Sequence, residues 1–70
     1  MELKQVNSKT LSKVGYDPDS KVMIVIFNAG STYEFTGVPE GIYNGLMGAK
    51  SFGSYFSKNI RKKYPYKQIV

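Results

Sequence analysis

Seventy residues without cysteine, histidine or tryptophan leave room for one domain with one small core, and they exclude disulfides and thiolate-bound zinc as staples. A chain this short buries only roughly 60% of the surface its unfolded form exposes, which limits its expected net stability to about 3–5 kcal/mol. The net charge of +5 is unevenly placed: residues 1–40 hold four lysines against five carboxylates, whereas residues 41–70 hold Lys50, Lys58, Arg61, Lys62, Lys63 and Lys67 with no acid. A one-sided positive field attracts polyanions over about one Debye length, ~8 Å at physiological salt.

Met1 to Gln5 contain no apolar stretch of the kind a signal sequence needs, and the longest apolar run, Val22–Phe27, is too short to cross a bilayer. The expectation is a cytoplasmic protein without membrane association, folded as a single domain over residues 1–70.

Three β signals come first. Leu11-Ser12-Lys13-Val14-Gly15-Tyr16 alternates loosely, and Asp17-Pro18-Asp19-Ser20 follows as a turn, with proline supplying the φ of its second position. Lys21–Phe27 is rich in β-branched residues and apolar at nearly every position, as a central strand is. In the next turn, Asn28-Ala29-Gly30, a two-residue Ala-Gly loop would force Ala29 to positive φ. A three-residue loop with Gly30 in the left-handed region avoids that. Its register sets Phe27 opposite Ser31, Val25 opposite Tyr33 and Met23 opposite Phe35. One sheet face then carries Met23, Val25, Phe27, Tyr33 and Phe35, and the other carries Val22, Ile24 and Ile26 beside Thr32, Glu34 and Thr36.

The second half reads as helical. Pro39 suits a first helical position, with Glu40 favourably placed against the positive end of the helix dipole. Ile42, Leu46 and Ala49 recur at helical spacing. Ser51 is a natural N-cap for a second helix, which Pro65 stops near Tyr64. On that helix Phe52, Tyr55, Phe56 and Ile60 share one side, and Ser54, Ser57, Lys58, Arg61 and Lys62 the other. The predicted architecture is α+β: a three-stranded antiparallel β-meander followed by a helical hairpin packed on one face. The apolar side of that hairpin, with Ile42 and Leu46, is expected to meet Met23, Val25, Phe27, Tyr33 and Phe35.

Catalysis finds little support. The five carboxylates are scattered, Asp17 and Asp19 form an ordinary turn lacking the further ligands of a calcium loop, and a serine nucleophile would have only lysines as a base. Gly45 to Ser51 resembles a phosphate loop but places Ala49 where glycine is required. Gly41, Gly45 and Gly48 line one stripe of the first helix, read first as a site of close packing. The basic side of the second helix is different. Lys58, Arg61 and Lys62, bordered by Tyr55 and followed by Tyr66 and Lys67, combine cations for phosphates with rings for bases. A solvated helix face, with its lysines favoured by the dipole, accounts for the same residues equally well.

Val14-Gly15-Tyr16-Asp17, Met23-x-Val25-x-Phe27, Gly30, Tyr33-Glu34-Phe35, Val38-Pro39, Tyr43 and Ser51-x-Gly53-x-Tyr55-Phe56 through Ile60-Arg61 together resemble the KTSC domain. That family takes its name from the C-terminal extension of some lysyl-tRNA synthetases and includes short stand-alone proteins of bacteria and phages. The resemblance runs from about Val6 to Tyr64 and rests on the order and spacing of these elements. Its synthetase context implies RNA binding. Two positions depart from the family pattern: Phe35 stands where a second tyrosine is usual, and Ser57 where asparagine is expected.

The combined expectation is a non-catalytic domain that binds RNA or another polyanion and needs no cofactor and no metal. Lys58, Arg61, Lys62 and Lys67 are the candidate phosphate contacts, and Tyr55 or Tyr66 the stacking residue. The alternative is a protein-interaction or regulatory module, bacterial or phage-encoded, that docks a host protein or a second copy of itself through Val22, Ile24 and Ile26. On this reading that face is covered, by Ile69-Val70 or by a partner. A third reading places a small anionic nucleotide near the glycine stripe.

Overall fold

The computed structural model describes residues 3–6 and 8–69. Five antiparallel strands lie in sequence order: β1 (Leu3–Gln5), β2 (Leu11–Asp17), β3 (Val22–Phe27), β4 (Thr32–Phe35) and β5 (Tyr66–Gln68). Two helices, α1 (Glu40–Met47) and α2 (Phe52–Phe56), stand between β4 and β5. The three-stranded expectation is therefore corrected to five. The two additions are edge strands of three exposed residues each, Leu-Lys-Gln and Tyr-Lys-Gln. Neither has the alternation that identifies a strand in sequence. They form because β2 and β4 would otherwise leave a row of backbone groups unpaired.

The β3–β4 hairpin has the predicted register. Met23 pairs with Phe35 and Val25 with Tyr33. The Phe27 N–H donates to the Ser31 carbonyl at 2.9 Å, and Gly30, at φ +99°, closes the loop through its N–H to the Phe27 carbonyl at 2.9 Å. At the β2–β3 turn the Asp19 N–H donates to Asp17 Oδ1 at 3.0 Å. That hydrogen bond, helped by Ser20, holds the Asp17 carboxyl below its ordinary range.

The loose alternation of β2 has a physical cause. Its pairing with β3 jumps from Leu11–Phe27 to Lys13–Ile26, leaving Ser12 as an extra residue. Leu11 and Val14, three apart, would face opposite sides of a regular strand. The bulge turns both inward, and both are fully buried.

Met23, Val25 and Phe35 are fully buried together with Leu46 and Ile60, and Phe56 is 3% exposed. Phe56 meets Phe35 edge to face at 5.3 Å and Phe27 at 5.6 Å. Phe27, Tyr33 and Ile42 are partly buried against the same core. Each fully buried side chain of this size contributes about 1.5–3 kcal/mol of transfer free energy. This is the predicted core face, and the sheet's other face is free of helix.

The helix limits differ slightly from expectation. Pro39 is the N-cap of α1, with ψ 152°, and the helix begins at Glu40. Ser51 caps α2 as predicted, its hydroxyl accepting from the Ser54 N–H at 3.4 Å. Beyond Phe56 the chain continues as a π-helical turn, Ser57–Arg61, and stops short of Tyr64. There the Ile60 carbonyl accepts from both the Lys63 and Tyr64 N–H groups, at 3.1 and 3.2 Å, and the chain swings into β5.

Candidate nucleic-acid interface

The second helix and its π-helical extension run from Phe52 to Arg61, with Phe56 and Ile60 buried underneath. Lys58, Arg61 and Lys62 are all exposed, as are Ser54 and Ser57. Lys58 and Arg61 lie on the π-helical turn and Lys62 is its C-cap, so the three cations fall within one short segment. No acid occurs between Phe52 and Lys63, and among the described residues none of the three takes part in an ion pair.

Lys67 does not join them. Its ammonium lies 3.8 Å from Glu34 Oε1, and Lys67 pairs with Glu34 across β4 and β5. Directly paired residues share a sheet face. Phe35 and Tyr66 mark the helix side, so Lys67 belongs to the helix-free one. The fold thus separates one predicted phosphate contact from the other three.

The two tyrosines occupy different settings. Tyr66 is 50% exposed. Its ring stacks on Tyr33 at 5.5 Å and 20°, and tilts against Phe35 at 5.2 Å. One side is thereby held while the other half of the residue remains open to solvent. Tyr55 is half-buried against α1, and its phenol occupies the space that a Cβ on Gly45 would need. Gly45 therefore serves close packing, whereas a Cβ at Gly41 would meet nothing within 4 Å.

Tyr16 secures α1 to the sheet. Its hydroxyl donates to the Val38 carbonyl at 2.6 Å, and its ring stacks on Tyr43 at 4.9 Å and 11°. Burial raises the Tyr16 phenol above its ordinary value of 10.0, with Glu40 and then Asp17 adding to the effect.

Sequence reasoning missed a second basic cluster. Lys9 and Lys50 meet Lys58 around a cleft of about 590 Å3 between the approach to β2 and the start of α2. Lys9 lies about forty residues before the stretch that carries Lys50 and Lys58, and no local pattern links them.

On the helix-free face Val22, Ile24 and Ile26 are half-buried. Ile69 does not fold across them. Its N–H donates to the Thr32 carbonyl at 2.9 Å, extending the β4–β5 ladder in the plane of the sheet, and it is 44% exposed. Three residues beyond Tyr66, it stands on the same face as Ile24 and Ile26. Leu3, paired with Gly15 beside Ile24, adds a further apolar side chain at 41% exposure. Val70 lies outside the described residues. Among those residues, no helix is long and apolar enough to cross a membrane, and no group of three or more acidic side chains could hold a metal ion.

This combination defines a class: a small α+β domain with a helical pair on one face of an antiparallel sheet and an acid-free cationic helix turned outward. Residues 7–64 match the KTSC domain, and the chain belongs to that family. A crystal structure of a KTSC domain protein from Yersinia pestis superposes with a TM-score of 0.92 at 33% identity, covering 99% of this chain and 97% of that one. An uncharacterised protein of Stutzerimonas stutzeri is 29% identical over 59 residues, 84% of this chain and 83% of its own length. A lysine–tRNA ligase of Nostoc is 35% identical over 54 residues, 77% of this chain but 10% of the ligase.

Proposed function

We propose that this chain is a non-catalytic RNA-binding domain whose contact surface is the outer side of the second helix. The observation that carries this reading is the group Lys58, Arg61 and Lys62: three exposed cations on and just past the helical segment anchored by Phe56 and Ile60, without a carboxylate in that segment. Phosphates require a fixed array of cations of this kind. The open half of Tyr66, supported by Tyr33, supplies an aromatic surface on which a base can stack. The likeness to a segment of a protein named for its action on tRNA points to the same class of partner.

Fluorescence anisotropy with single-stranded RNA, duplex RNA and DNA at low salt tests the proposal. Single-stranded RNA is expected to bind, with an affinity that falls as salt rises. Absence of binding to all three nucleic acids would end it.

A second reading rests on the helix-free face, where Leu3 and Ile69, both more than 40% exposed, flank Ile24 and Ile26. Apolar side chains on an open sheet face, interspersed with Lys13 and Thr32, fit a protein partner. Pull-down from lysate with and without nuclease separates the two: a partner retained after nuclease treatment, and lost on Ile24→Lys, supports the protein reading.

A further inference from the structure

The cleft of about 590 Å3 is lined on one side by Ser8, Lys9 and Thr10 and on the other by the stretch from Lys50 to Lys58. Lys9 reaches it from one segment and Lys50 and Lys58 from the other, and no carboxylate lines it. It is a depression largely open to solvent.

The hydroxyls that face it are biased toward donation. Ser8 Oγ accepts from the N–H groups of Thr10 and Leu11 at 3.2 and 3.4 Å. Ser51 Oγ accepts from the Ser54 N–H at 3.4 Å. A hydroxyl whose oxygen already accepts has its proton left to offer. Three cations and such donors complement a compact group with several acceptor oxygens and more than one negative charge.

Both walls are braced. Asn28 Nδ2 donates to the Ser8 carbonyl at 3.1 Å, and the Asn28 N–H to the Thr10 carbonyl at 2.9 Å. Across the cleft, α2 approaches so closely that a Cβ on Gly53 would lie 3.3 Å from Thr10 Oγ1. Lysines on a braced frame lose less freedom on binding than lysines on a mobile loop.

We infer that this cleft binds a phosphate monoester, the terminal phosphate of a nucleotide or of an RNA end. The group carries close to two charges at neutral pH and three acceptor oxygens, which matches the lysines and donor hydroxyls. The site stands apart from the glycine stripe: Lys9, Lys50 and Lys58 hold the anion, not Gly41, Gly45 and Gly48. It shares Lys58 with the proposed RNA surface, but Lys9 and Lys50 belong to the cleft alone, so it does not rest on RNA binding by the outer side of the second helix.

Titration of the full chain with adenosine 5′-monophosphate, followed by backbone amide NMR, tests the inference, with adenosine as the control. Amides of Thr10, Ser51 and Ser54 are expected to shift to saturation with the monophosphate and not with adenosine. Lys9→Ala and Lys50→Ala should each weaken binding roughly tenfold, the loss expected for one charge-assisted hydrogen bond. Lys62→Ala, outside the cleft, should change it less than about twofold. A 5′-phosphorylated oligoribonucleotide that outcompetes both the monophosphate and its 5′-hydroxyl counterpart assigns the cleft to an RNA end. Parity with the monophosphate assigns it to a free nucleotide. The inference is overturned by equal responses to adenosine and its monophosphate, by the absence of saturation at millimolar ligand, or by an equal loss in Lys62→Ala.

Discussion

Tyr16 joins three parts of the molecule through one side chain: β2 that carries it, Val38 that accepts its hydrogen bond and Tyr43 that stacks on its ring. Tyr16→Phe leaves the ring but strips the Val38 carbonyl of its donor, and chemical denaturation should register a loss of about 1–2 kcal/mol. The same residue predicts an alkaline limit. Its phenol holds the proton more tightly in the folded chain than at its ordinary value of 10.0. The folded state therefore binds more protons than the unfolded one above that pH, and stability falls as pH rises through the folded value. Asp17 works at the other limit. Its folded pKa is below the ordinary 3.8, so its contribution is complete above that pH and is lost as pH falls through the folded value. Thermal unfolding across pH should show both limbs, the alkaline one reduced by Tyr16→Phe and the acid one by Asp17→Asn.

Two glycines of the same helix make a further contrast. Gly41 has open space for a Cβ, and Gly41→Ala should stabilise the protein by about 0.5–1 kcal/mol through helix propensity. At Gly45 a Cβ would collide with the Tyr55 ring. The ring must then leave α1, and the lost packing outweighs the propensity gain, for a net destabilisation of about 1 kcal/mol. Denaturant midpoints of the two variants should therefore move in opposite directions.

At the scale of elements, β2 depends on one residue that has no apolar side chain. Ser12 is the bulge that turns Leu11 toward the core. Its deletion restores regular alternation and sends Leu11 to the helix-free face. Loss of a buried leucine costs about 2–5 kcal/mol, comparable to the whole stability expected of a domain this small. The deletion should abolish cooperative unfolding, whereas Ser12→Ala, which keeps the bulge, should stay within about 0.5 kcal/mol of the parent. Loss of the Ser51 cap is milder: Ser51→Ala should cost about 0.5–1 kcal/mol, the low end for an N-cap given its 3.4 Å hydrogen bond.

At the scale of the whole molecule, charge and shape divide the surface into three. The outer side of the second helix carries Lys58, Arg61 and Lys62, the neighbouring cleft carries Lys9 and Lys50, and the far side of the sheet mixes Val22, Ile24 and Ile26 with Lys13, Thr32 and the Lys67–Glu34 pair. If RNA phosphates lie along the helix, Arg61→Ala and Lys62→Ala should each weaken binding nearly uniformly across RNA sequences. Each should also flatten the slope of log affinity against log salt by ~0.7. Lys67→Ala should leave that slope unchanged. Tyr66→Ala should weaken binding by about 1–3 kcal/mol without altering the slope, as removal of a stacking ring does. Circular dichroism of each variant separates these losses from unfolding.

Much of this organisation was legible locally. The β3–β4 register followed from Ala29 and Gly30, because a three-residue loop spares Ala29 the positive φ that a two-residue loop would impose. With the register came the core face Met23, Val25 and Phe35. Ser51 and the burial pattern of Phe56 and Ile60 likewise gave the second helix its cap and its outward cations. These features depend on backbone sterics and on periodicity, which act between residues close in the chain. Tertiary structure decided the rest. Leu-Lys-Gln and Tyr-Lys-Gln became strands only because neighbouring strands offered unpaired backbone groups, and Lys67 was drawn to Glu34 by that pairing. Lys9, Lys50 and Lys58 became one cluster because the approach to β2 is tied to Asn28 while α2 packs closely on Thr10. Contacts between residues that far apart depend on how completed elements meet, and no short stretch of sequence contains that information.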